Sequence, residues 1–328
     1  MSLIKKHKVI TLIAGILIVM IIAWNVSVFP FVYLFRILMS SVQEAGTIGE
    51  YSDQIQNVTE MGTVSISVEG YPDAQATVYA PENTEDALPL IVYIHGGGYV
   101  VGSASQVSNY AKLLASNGYI VVNMDYALAP EYGYPAAVIQ LAEAVNYFYQ
   151  HAEDYHIDPD HIFIGGNSAG AHMSAQLGAI FTTPDYGESM GVTPAVPAAS
   201  IAGLILFNGV YNMETVSACG YPGYDMLAWA YTGKKNWQSY SLLEEMSPVN
   251  YITENYPPTY ITVGDADVLS PQTMEMIDKL NENNVEVTSL LWTDSGAGLA
   301  HDYVYELDTE EAQRNYESVI EFLRNQLQ

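Results

Sequence analysis

The sequence has one cysteine among 328 residues and few positive charges. With Cys219 alone, the chain has no internal disulfide and no metal cage built from cysteines. Lysine and arginine number 10 against 37 aspartate and glutamate residues, a formal net charge of −27. Such a surface repels polyanions, so we expect no nucleic-acid partner. The sequence also lacks an internal repeat, which argues against a solenoid.

The scarce basic residues are concentrated near the N-terminus. Residues 1–40 contain no acidic residue and four basic ones: Lys5, Lys6, Lys8 and Arg36. An apolar run from Val9 to Trp24, extending to Phe29, matches the roughly 20 residues that cross a bilayer as a helix. The preceding positive charge predicts a cytoplasmic N-terminus and an extracellular body. We expect an uncleaved single-pass signal anchor in the cell membrane; a cleaved signal peptide, which would release a secreted protein, is the alternative.

Three regions are expected along the chain. Residues 1–30 form the basic flank and transmembrane anchor, residues 31–60 form a juxtamembrane or cap segment, and residues 61–328 form one α/β domain. Residues 31–39 are apolar again and would lie either in the membrane interface or over the active site. The sequence leaves this choice open.

Strands and helices alternate through the α/β domain. We expect strands over 63–68, 75–79, 89–94, 119–124, 161–165, 201–207, 258–263 and 285–292. We expect helices over 106–117, 135–152, 168–181, 271–283 and 309–327. The segment 211–255 shows no clear periodicity. The alternation predicts a mostly parallel central sheet flanked by helices, with ligand sites at the carboxyl ends of the strands.

Two glycine-containing strings follow apolar strands. His95-Gly96-Gly97-Gly98 comes after the strand at 89–94, and Gly166-Asn167-Ser168-Ala169-Gly170 comes after the strand at 161–165. A serine at a sharp strand-to-helix turn is an exposed nucleophile, and glycine N–H groups bind the oxyanion that forms when it attacks a carbonyl. We therefore expect Ser168 as nucleophile and the N–H groups of Gly97, Gly98 and Ala169 as the oxyanion hole.

A serine nucleophile needs a base, and the base needs an orienting acid. Asp265 and Asp267 both follow the strand at 258–263, and the Val-Leu after Asp267 favours it without excluding Asp265. His301 follows the last strand and is expected to be the base. For an ordinary histidine, activity would fall on acidification at roughly pH 6–7.

Aromatic residues and the remaining histidines supply weaker signals. Six aromatic residues are candidates to line an acyl or sugar pocket, although core or cap packing is the more common role of aromatics at such positions: Tyr99, Tyr126, Tyr211, Tyr224, Trp229 and Tyr231. Of these, Tyr99 and Tyr211 are the expected substrate-binding residues. His151, His156 and His161 lie among aspartates, but their spacing matches no familiar ligand pattern, so we expect no metal site.

The same strings carry a family resemblance. His95-Gly96-Gly97-Gly98-Tyr99, Asp125-Tyr126-Ala127-Leu128-Ala129-Pro130-Glu131 and Gly166-Asn167-Ser168-Ala169-Gly170 resemble the motifs of the hormone-sensitive-lipase-like family of α/β-hydrolases, the bacterial carboxylesterases. The resemblance covers about residues 60–328. It implies an α/β-hydrolase fold, no cofactor, and Ser168, Asp267 and His301 as the triad.

Three residues depart from the family pattern. Ala127 stands where arginine is common, which predicts the loss of a structural ion pair. Asn167 replaces the usual aspartate beside the nucleophile, and Asp302-Tyr303 replaces a frequent Gly-Phe after the histidine. The exchange at 167 predicts the loss of a charge beside the nucleophile, and all three departures weaken the transfer of the family's substrates to this chain while leaving the catalytic groups in place. The membrane anchor and residues 31–60 stand where the family has N-terminal cap helices, so we expect an unusual acyl pocket.

The expected function is that of a serine carboxylesterase. It would hydrolyse short-chain, most simply acetyl, esters of small molecules through an acyl-enzyme and without a cofactor. A serine peptidase or amidase of the same fold is one alternative, since the same triad cleaves amides. A non-catalytic membrane-tethered binding protein is the other.

Overall fold

A computed structural model describes residues 24–39, 46–82, 86–293 and 295–328, together with residues 8, 10–13, 15 and 20. The strands are β1 Val58–Ile66, β2 Ala74–Pro81, β3 Leu88–Ile94, β4 Ile120–Asp125, β5 Ile157–Asn167, β6 Ile201–Phe207, β7 Thr259–Val263 and β8 Val287–Leu291. The helices are α1 Phe29–Met39, α2 Ser108–Ala115, α3 Ala136–Gln150, α4 Ala169–Thr182, α5 Pro184–Ser189, α6 Tyr224–Thr232, α7 Ser270–Glu282 and α8 Glu310–Asn325. A 3₁₀ segment, Gly49–Asn57, precedes β1.

The eight strands form one sheet in the order β1-β2-β4-β3-β5-β6-β7-β8. The pairs β1–β2 and β2–β4 are antiparallel, and every pair from β4–β3 onward is parallel. This is the α/β-hydrolase arrangement that the sequence predicted. Each strand expected from residue 63 onward has a counterpart in this sheet, and β5 begins four residues earlier than expected.

Two apolar cores cover the two faces of the sheet. Because successive side chains of a strand point to opposite faces, Leu90 and Val92 of β3 pack in one core, and Ile91 and Tyr93 pack in the other. Helices α3, α4 and α7 contribute to the first core, and α2 and α8 contribute to the second. The central strands are therefore buried on both faces, as in other parallel sheets.

Helix α6 lies within the segment 211–255, for which the sequence predicted no regular structure. It is bounded by Gly223 and Gly233, both with positive φ, of 78° and 68°. Glycine at a helix end is a recognised termination signal. The spacing of these two glycines could therefore have indicated a short helix where the hydrophobic periodicity did not. The helix brings Leu227 over the oxyanion loop.

The expected membrane anchor, Val9 to Trp24 and on to Phe29, lies largely outside the described residues. Among the residues that are described, no helix is both long enough and apolar enough to cross a membrane. The division into residues 1–30, 31–60 and 61–328 stays a prediction.

Helix α1 packs on the body through Arg36. The guanidinium forms two hydrogen bonds of 2.8 Å with the Glu131 carboxylate and donates to the carbonyls of Val100 (2.7 Å) and Ala129 (2.8 Å). The sequence predicted a missing ion pair because residue 127 is alanine; in the structure, Glu131 of the same motif segment pairs with a guanidinium from a distant element. Glu131 lies in the motif segment 125–131, and Val100 lies just after the glycine loop.

The Arg36–Glu131 pair should persist in mildly acidic solution. The Arg36 hydrogen bond lowers the pKa of Glu131 to about 2. A carboxyl group whose pKa is lowered in the folded state stabilises the fold. This stabilisation is complete above the ordinary glutamate pKa of roughly 4.3 and is lost as the pH falls through the lowered pKa. Helix α1 therefore stays attached over the physiological range.

We predict that Arg36→Met loosens α1 from the body. The substitution removes four hydrogen bonds from a charged donor while retaining much of the apolar stem, so the free energy of unfolding should fall by about 2 kcal/mol. Denaturant unfolding of the full chain in detergent measures this, and limited proteolysis should cut the variant faster within α1. Arg324→Met, which removes one exposed 3.4 Å hydrogen bond to Asn117, is the matched control. Equal stability of the two variants would contradict the prediction.

Candidate active site

Ser168 occupies a sharp turn between β5 and α4. Its φ is 52° and its ψ is −118°, a conformation that non-glycine residues rarely adopt. The Ser168 N–H donates to the Phe207 carbonyl of β6 at 2.8 Å, and the Ser168 carbonyl accepts from His172 N at 3.0 Å. These bonds to a neighbouring strand and to α4 hold the strained turn in place, so its hydroxyl projects from the carboxyl edge of the sheet.

The glycine loop after β3 runs beside Ser168. Gly97 has a φ of 115°, and a Cβ there would collide with the Val101 carbonyl. Only glycine is accepted at such a position. Gly97, Gly98, Ser168 and Ala169 line the same cavity. The loop is anchored to the serine turn because Gly96 N donates to Asn167 Oδ1 at 2.9 Å.

The structure brings Ser168, His301 and Asp267 together from three separate loops. His301 Nε2 lies 2.9 Å from Ser168 Oγ, and His301 Nδ1 lies 2.7 Å from Asp267 Oδ2. The Asp267 side chain is buried, whereas His301 retains 20% exposure. A neutral imidazole that donates Nδ1–H to Asp267 presents the lone pair of Nε2 to the serine hydroxyl, which is the tautomer that general-base chemistry needs.

The structure also separates the two aspartates that the sequence left in competition. Asp265 accepts hydrogen bonds from Leu299 N (2.6 Å), Gly298 N (3.2 Å) and Ser295 Oγ (2.9 Å). It therefore shapes the loop that carries His301 and does not contact the imidazole. Asp267 is the residue that does, and it also caps the following turn through Leu269 N at 2.9 Å.

A cavity of about 300 Å³ opens in front of Ser168. It is mostly apolar, and part of its wall comes from two helices and the glycine loop. Helix α1 contributes Phe35 and Met39, α6 contributes Leu227, and the glycine loop contributes Tyr99. Helix α1 thus lies over this cavity, one of the two positions that the sequence left open for residues 31–39.

The two tyrosines expected to bind substrate lie differently. Tyr99 lines the cavity. Tyr211 does not: it is fully buried behind the cavity wall, and its hydroxyl accepts a hydrogen bond from Gly209 N at 3.2 Å. Its neighbour Val210 lines the cavity instead. Of the other aromatic candidates, Tyr224 lines the cavity. Within the described residues, the cavity lining does not include Tyr126, Trp229 or Tyr231.

Tyr99 is held by a buried hydrogen-bond chain. Its ring stacks on Tyr231, with centroids 3.9 Å apart and planes within 1°. Its hydroxyl lies 2.6 Å from His172 Nδ1, and His172 Nε2 lies 2.6 Å from the Met246 carbonyl. Burial lowers the pKa of His172 to about 4, so the imidazole is neutral; it donates to Met246 and accepts from Tyr99. His172 therefore supports the pocket wall and takes no part in proton transfer.

A second carboxylate, Asp302, lies next to the base. Its Oδ1 accepts from Asn167 Nδ2 at 3.0 Å, and its Oδ2 lies 3.8 Å from His301 Nε2. The family aspartate that Asn167 replaces is therefore matched by a carboxylate on another loop, and the expected loss of charge beside the nucleophile does not occur. In the sequence, Asp302 stood out only as a departure from the family pattern. Because residue 167 departs from the same pattern, the pair of departures was the available signal that the two side chains are in contact.

The charges around His301 change its protonation. Burial lowers its pKa, but the negative charge of Asp302, together with the hydrogen bond and charge of Asp267, more than offsets this and raises the pKa to about 9. The free base is therefore present above about pH 9, and protonation removes it as the pH falls. This differs from the range of roughly pH 6–7 expected for an ordinary histidine.

The histidine and aspartate cluster near residues 151–161 has a simple explanation. His161 Nδ1 pairs with Asp158 Oδ2 at 2.7 Å, and His151 Nδ1 lies 2.8 Å from the Tyr147 carbonyl. In the part of the chain that the structure describes, no three side chains of the metal-binding types converge on one point. The residues around Ser168 likewise supply acyl-transfer groups and no ligand set for a metal.

Comparison with known proteins agrees with this fold and site. The BD-FAE family model matches residues 77–280, a span that runs from β2 into α7. The chain therefore belongs to the BD-FAE family, and the resemblance to hormone-sensitive-lipase-like α/β-hydrolases is confirmed.

Individual relatives are esterases. An acetyl esterase of Salmonella schwarzengrund (strain CVM19633) is 29% identical over 145 residues, which cover 44% of this chain and 41% of that protein. Among solved structures, esterase B from Lactobacillus rhamnosis (HN001) is 21% identical with a TM-score of 0.75, covering 93% of this chain and 96% of that one. A bacterial heroin esterase is 24% identical with a TM-score of 0.69, covering 84% and 86%. The chain spans less than half the length of the acetyl esterase, and the structural matches establish the fold.

We predict that the His301 imidazole titrates near pH 9 and that Asp302→Asn lowers this value. Asparagine can keep the hydrogen bond to Asn167 but removes the negative charge 3.8 Å from Nε2. Histidine ring resonances in NMR spectra, assigned through a His301→Gln variant, measure both values. A wild-type midpoint near the ordinary 6.5, or an unchanged midpoint in the variant, would refute the electrostatic account.

Proposed function

We propose that this protein is a serine carboxylesterase that uses Ser168, His301 and Asp267. The observation that supports it most is the continuous hydrogen-bonded line from Ser168 Oγ through the imidazole to Asp267, which faces the glycine loop across one cavity. Family membership supports the enzyme class, and the geometry supports the assignment of roles.

The reaction follows from the positions of these groups. Ser168 Oγ attacks the ester carbonyl while His301 Nε2 accepts the hydroxyl proton. The N–H groups of Gly97, Gly98 and Ala169 stabilise the oxyanion, and each such donor typically contributes about 10²–10³ in rate. His301 then donates the proton to the alcohol oxygen as the ester bond breaks. Water, activated by the same imidazole, hydrolyses the acyl-enzyme and releases the acid.

Removing the nucleophile should abolish hydrolysis without unfolding the chain. Ser168→Ala is expected to reduce kcat for an aryl acetate by about 10⁶, and a fluorophosphonate should label the wild type but not the variant. Asp267→Asn should lower kcat by a factor of about 10⁴, because the imidazole is no longer held in the tautomer that accepts the serine proton. Asp265→Asn is the matched control and should retain far more activity, since Asp265 contacts only the loop. Substantial turnover by Ser168→Ala would mean a different nucleophile.

We propose that the acyl group is short, most simply acetyl. The cavity of about 300 Å³ is at the small end of ligand sites and is closed above by Phe35 and Met39. The name of the acetyl esterase relative points the same way.

A series of p-nitrophenyl esters tests the acyl preference. We expect kcat/KM to be highest for acetate or propionate and to fall by at least about tenfold at octanoate, because a long chain has to displace α1. Aminoacyl arylamides measured in parallel address the peptidase alternative, and failure to hydrolyse any ester would favour the binding-protein alternative. A rate that increases up to octanoate would contradict a short-acyl pocket.

We propose that the N-terminal segment anchors the enzyme in the cell membrane with the catalytic body outside. The run from Val9 to Trp24 and its preceding lysines support this by length and charge. Helix α1 follows directly and exposes large apolar side chains, with Ile37 69% and Leu38 67% accessible. Such exposure next to the pocket fits a helix that lies at a membrane surface.

Fractionation of cells that express the full chain tests the anchor. The protein should stay with the membranes after alkaline carbonate extraction, and a C-terminal epitope tag should be accessible to antibody on intact cells while an N-terminal tag is not. Release into the medium, with a new N-terminus found by mass spectrometry, would instead establish signal-peptide cleavage.

A further inference from the structure

The carboxylate of Asp302 stands in an otherwise apolar pocket. Among the described residues that line the cavity, it is the one carboxylate, and no lysine or arginine reaches the lining. Its Oδ1 is bonded to Asn167, whereas Oδ2 has no hydrogen-bond donor within the described chain and lies 3.8 Å from His301 Nε2. A half-buried carboxylate oxygen without a donor is an available acceptor for a ligand.

The position of Oδ2 shows which part of an ester it would meet. His301 Nε2 is the atom that returns the proton to the departing alcohol oxygen. Because Oδ2 lies beside that nitrogen, we expect it to border the alcohol side of the scissile bond.

An aromatic ring stands beside the same carboxylate. Tyr221 lines the cavity and contacts the His301 ring edge to face, with centroids 5.4 Å apart and planes at 71°. Burial, followed by the charges of Asp302 and Asp267, raises the pKa of Tyr221 to about 12, so its phenol stays neutral. A carboxylate next to a neutral aromatic face is the combination that recognises organic ammonium groups.

The charge of the whole chain favours the same ligand. A formal charge of −27 attracts cations and repels anions over several ångströms, and no lysine or arginine stands among the described residues of the pocket lining. When the His301 imidazole is neutral, as it must be to accept the serine proton, Asp302 is the charged group of that lining. Resting on the esterase activity proposed above, we propose that Asp302 and Tyr221 form a subsite for the alcohol component of the ester, selecting alcohols that carry an ammonium group.

A purely structural role for Asp302 makes a different prediction. Its hydrogen bond to Asn167, which in turn holds Gly96, positions the oxyanion loop. Asp302 has a left-handed φ of 63°, which asparagine also adopts readily. Asp302→Asn therefore preserves the backbone and the hydrogen bond while removing the charge, so a structural role would affect charged and neutral substrates alike.

The test compares two isosteric acetates on the full chain. One is 2-(trimethylammonio)ethyl acetate, and the other is its neutral carbon analogue, 3,3-dimethylbutyl acetate. In the wild type, kcat/KM should be about tenfold higher for the cation, and Asp302→Asn should reduce that ratio to near one. The ratio should also fall with added salt. Glu321→Gln, which removes one exposed charge on α8 away from the pocket, is the matched control and should keep the wild-type ratio.

A second readout does not depend on cleavage of the charged ester. Choline should inhibit p-nitrophenyl acetate hydrolysis competitively, with a Ki about tenfold higher in Asp302→Asn than in the wild type. Equal wild-type rates for the two acetates, or an unchanged ratio in Asp302→Asn, would overturn the subsite while leaving the esterase intact. An enzyme that also fails on p-nitrophenyl acetate and resists fluorophosphonate would overturn the proposed function itself.

Discussion

The turn at Ser168 determines the geometry of the whole site. Its strained backbone is sustained because the turn packs against β3, where a Cβ on Gly170 would collide with the Ile94 carbonyl. Ile94 is the last residue of β3, paired with Gly166 of β5, and the glycine loop starts one residue later. Ser168 and the glycine loop are therefore aligned by one close contact between neighbouring parallel strands, and not by two independently placed loops.

Two departures from the family pattern are compensated by distant parts of the chain. The Glu131 carboxylate forms an ion pair with the Arg36 guanidinium of α1, and the Asn167 amide donates a hydrogen bond to the Asp302 carboxylate. In both cases the charged partner comes from a distant element of the chain. The second contact has a chemical effect, because the Asp302 carboxylate lies 3.8 Å from Nε2 of His301 and its charge raises the pKa of the imidazole.

Helix α1 forms part of the wall of the cavity in front of Ser168. Helix α1 closes the cavity with Phe35 and Met39 and is attached to the motif segment and to the residues after the glycine loop through Arg36. Residues that are expected to follow a membrane anchor therefore line the pocket. In the proposed anchored protein, this arrangement would present the pocket close to the bilayer surface.

The sequence alone determined the fold class and the groups capable of chemistry. Apolar strands alternating with helices require a parallel sheet, and the glycine strings around Ser168 and Gly97 act through local backbone geometry, which neighbouring residues specify. The sequence favoured Asp267 over Asp265, but only the tertiary structure showed which of them contacts the imidazole. It alone placed Tyr211 behind the pocket wall, Arg36 on Glu131 and Asp302 beside His301. Each of these depends on how loops far apart in sequence pack at the sheet edge, and no local pattern encodes a contact between residues 95 or 135 positions apart.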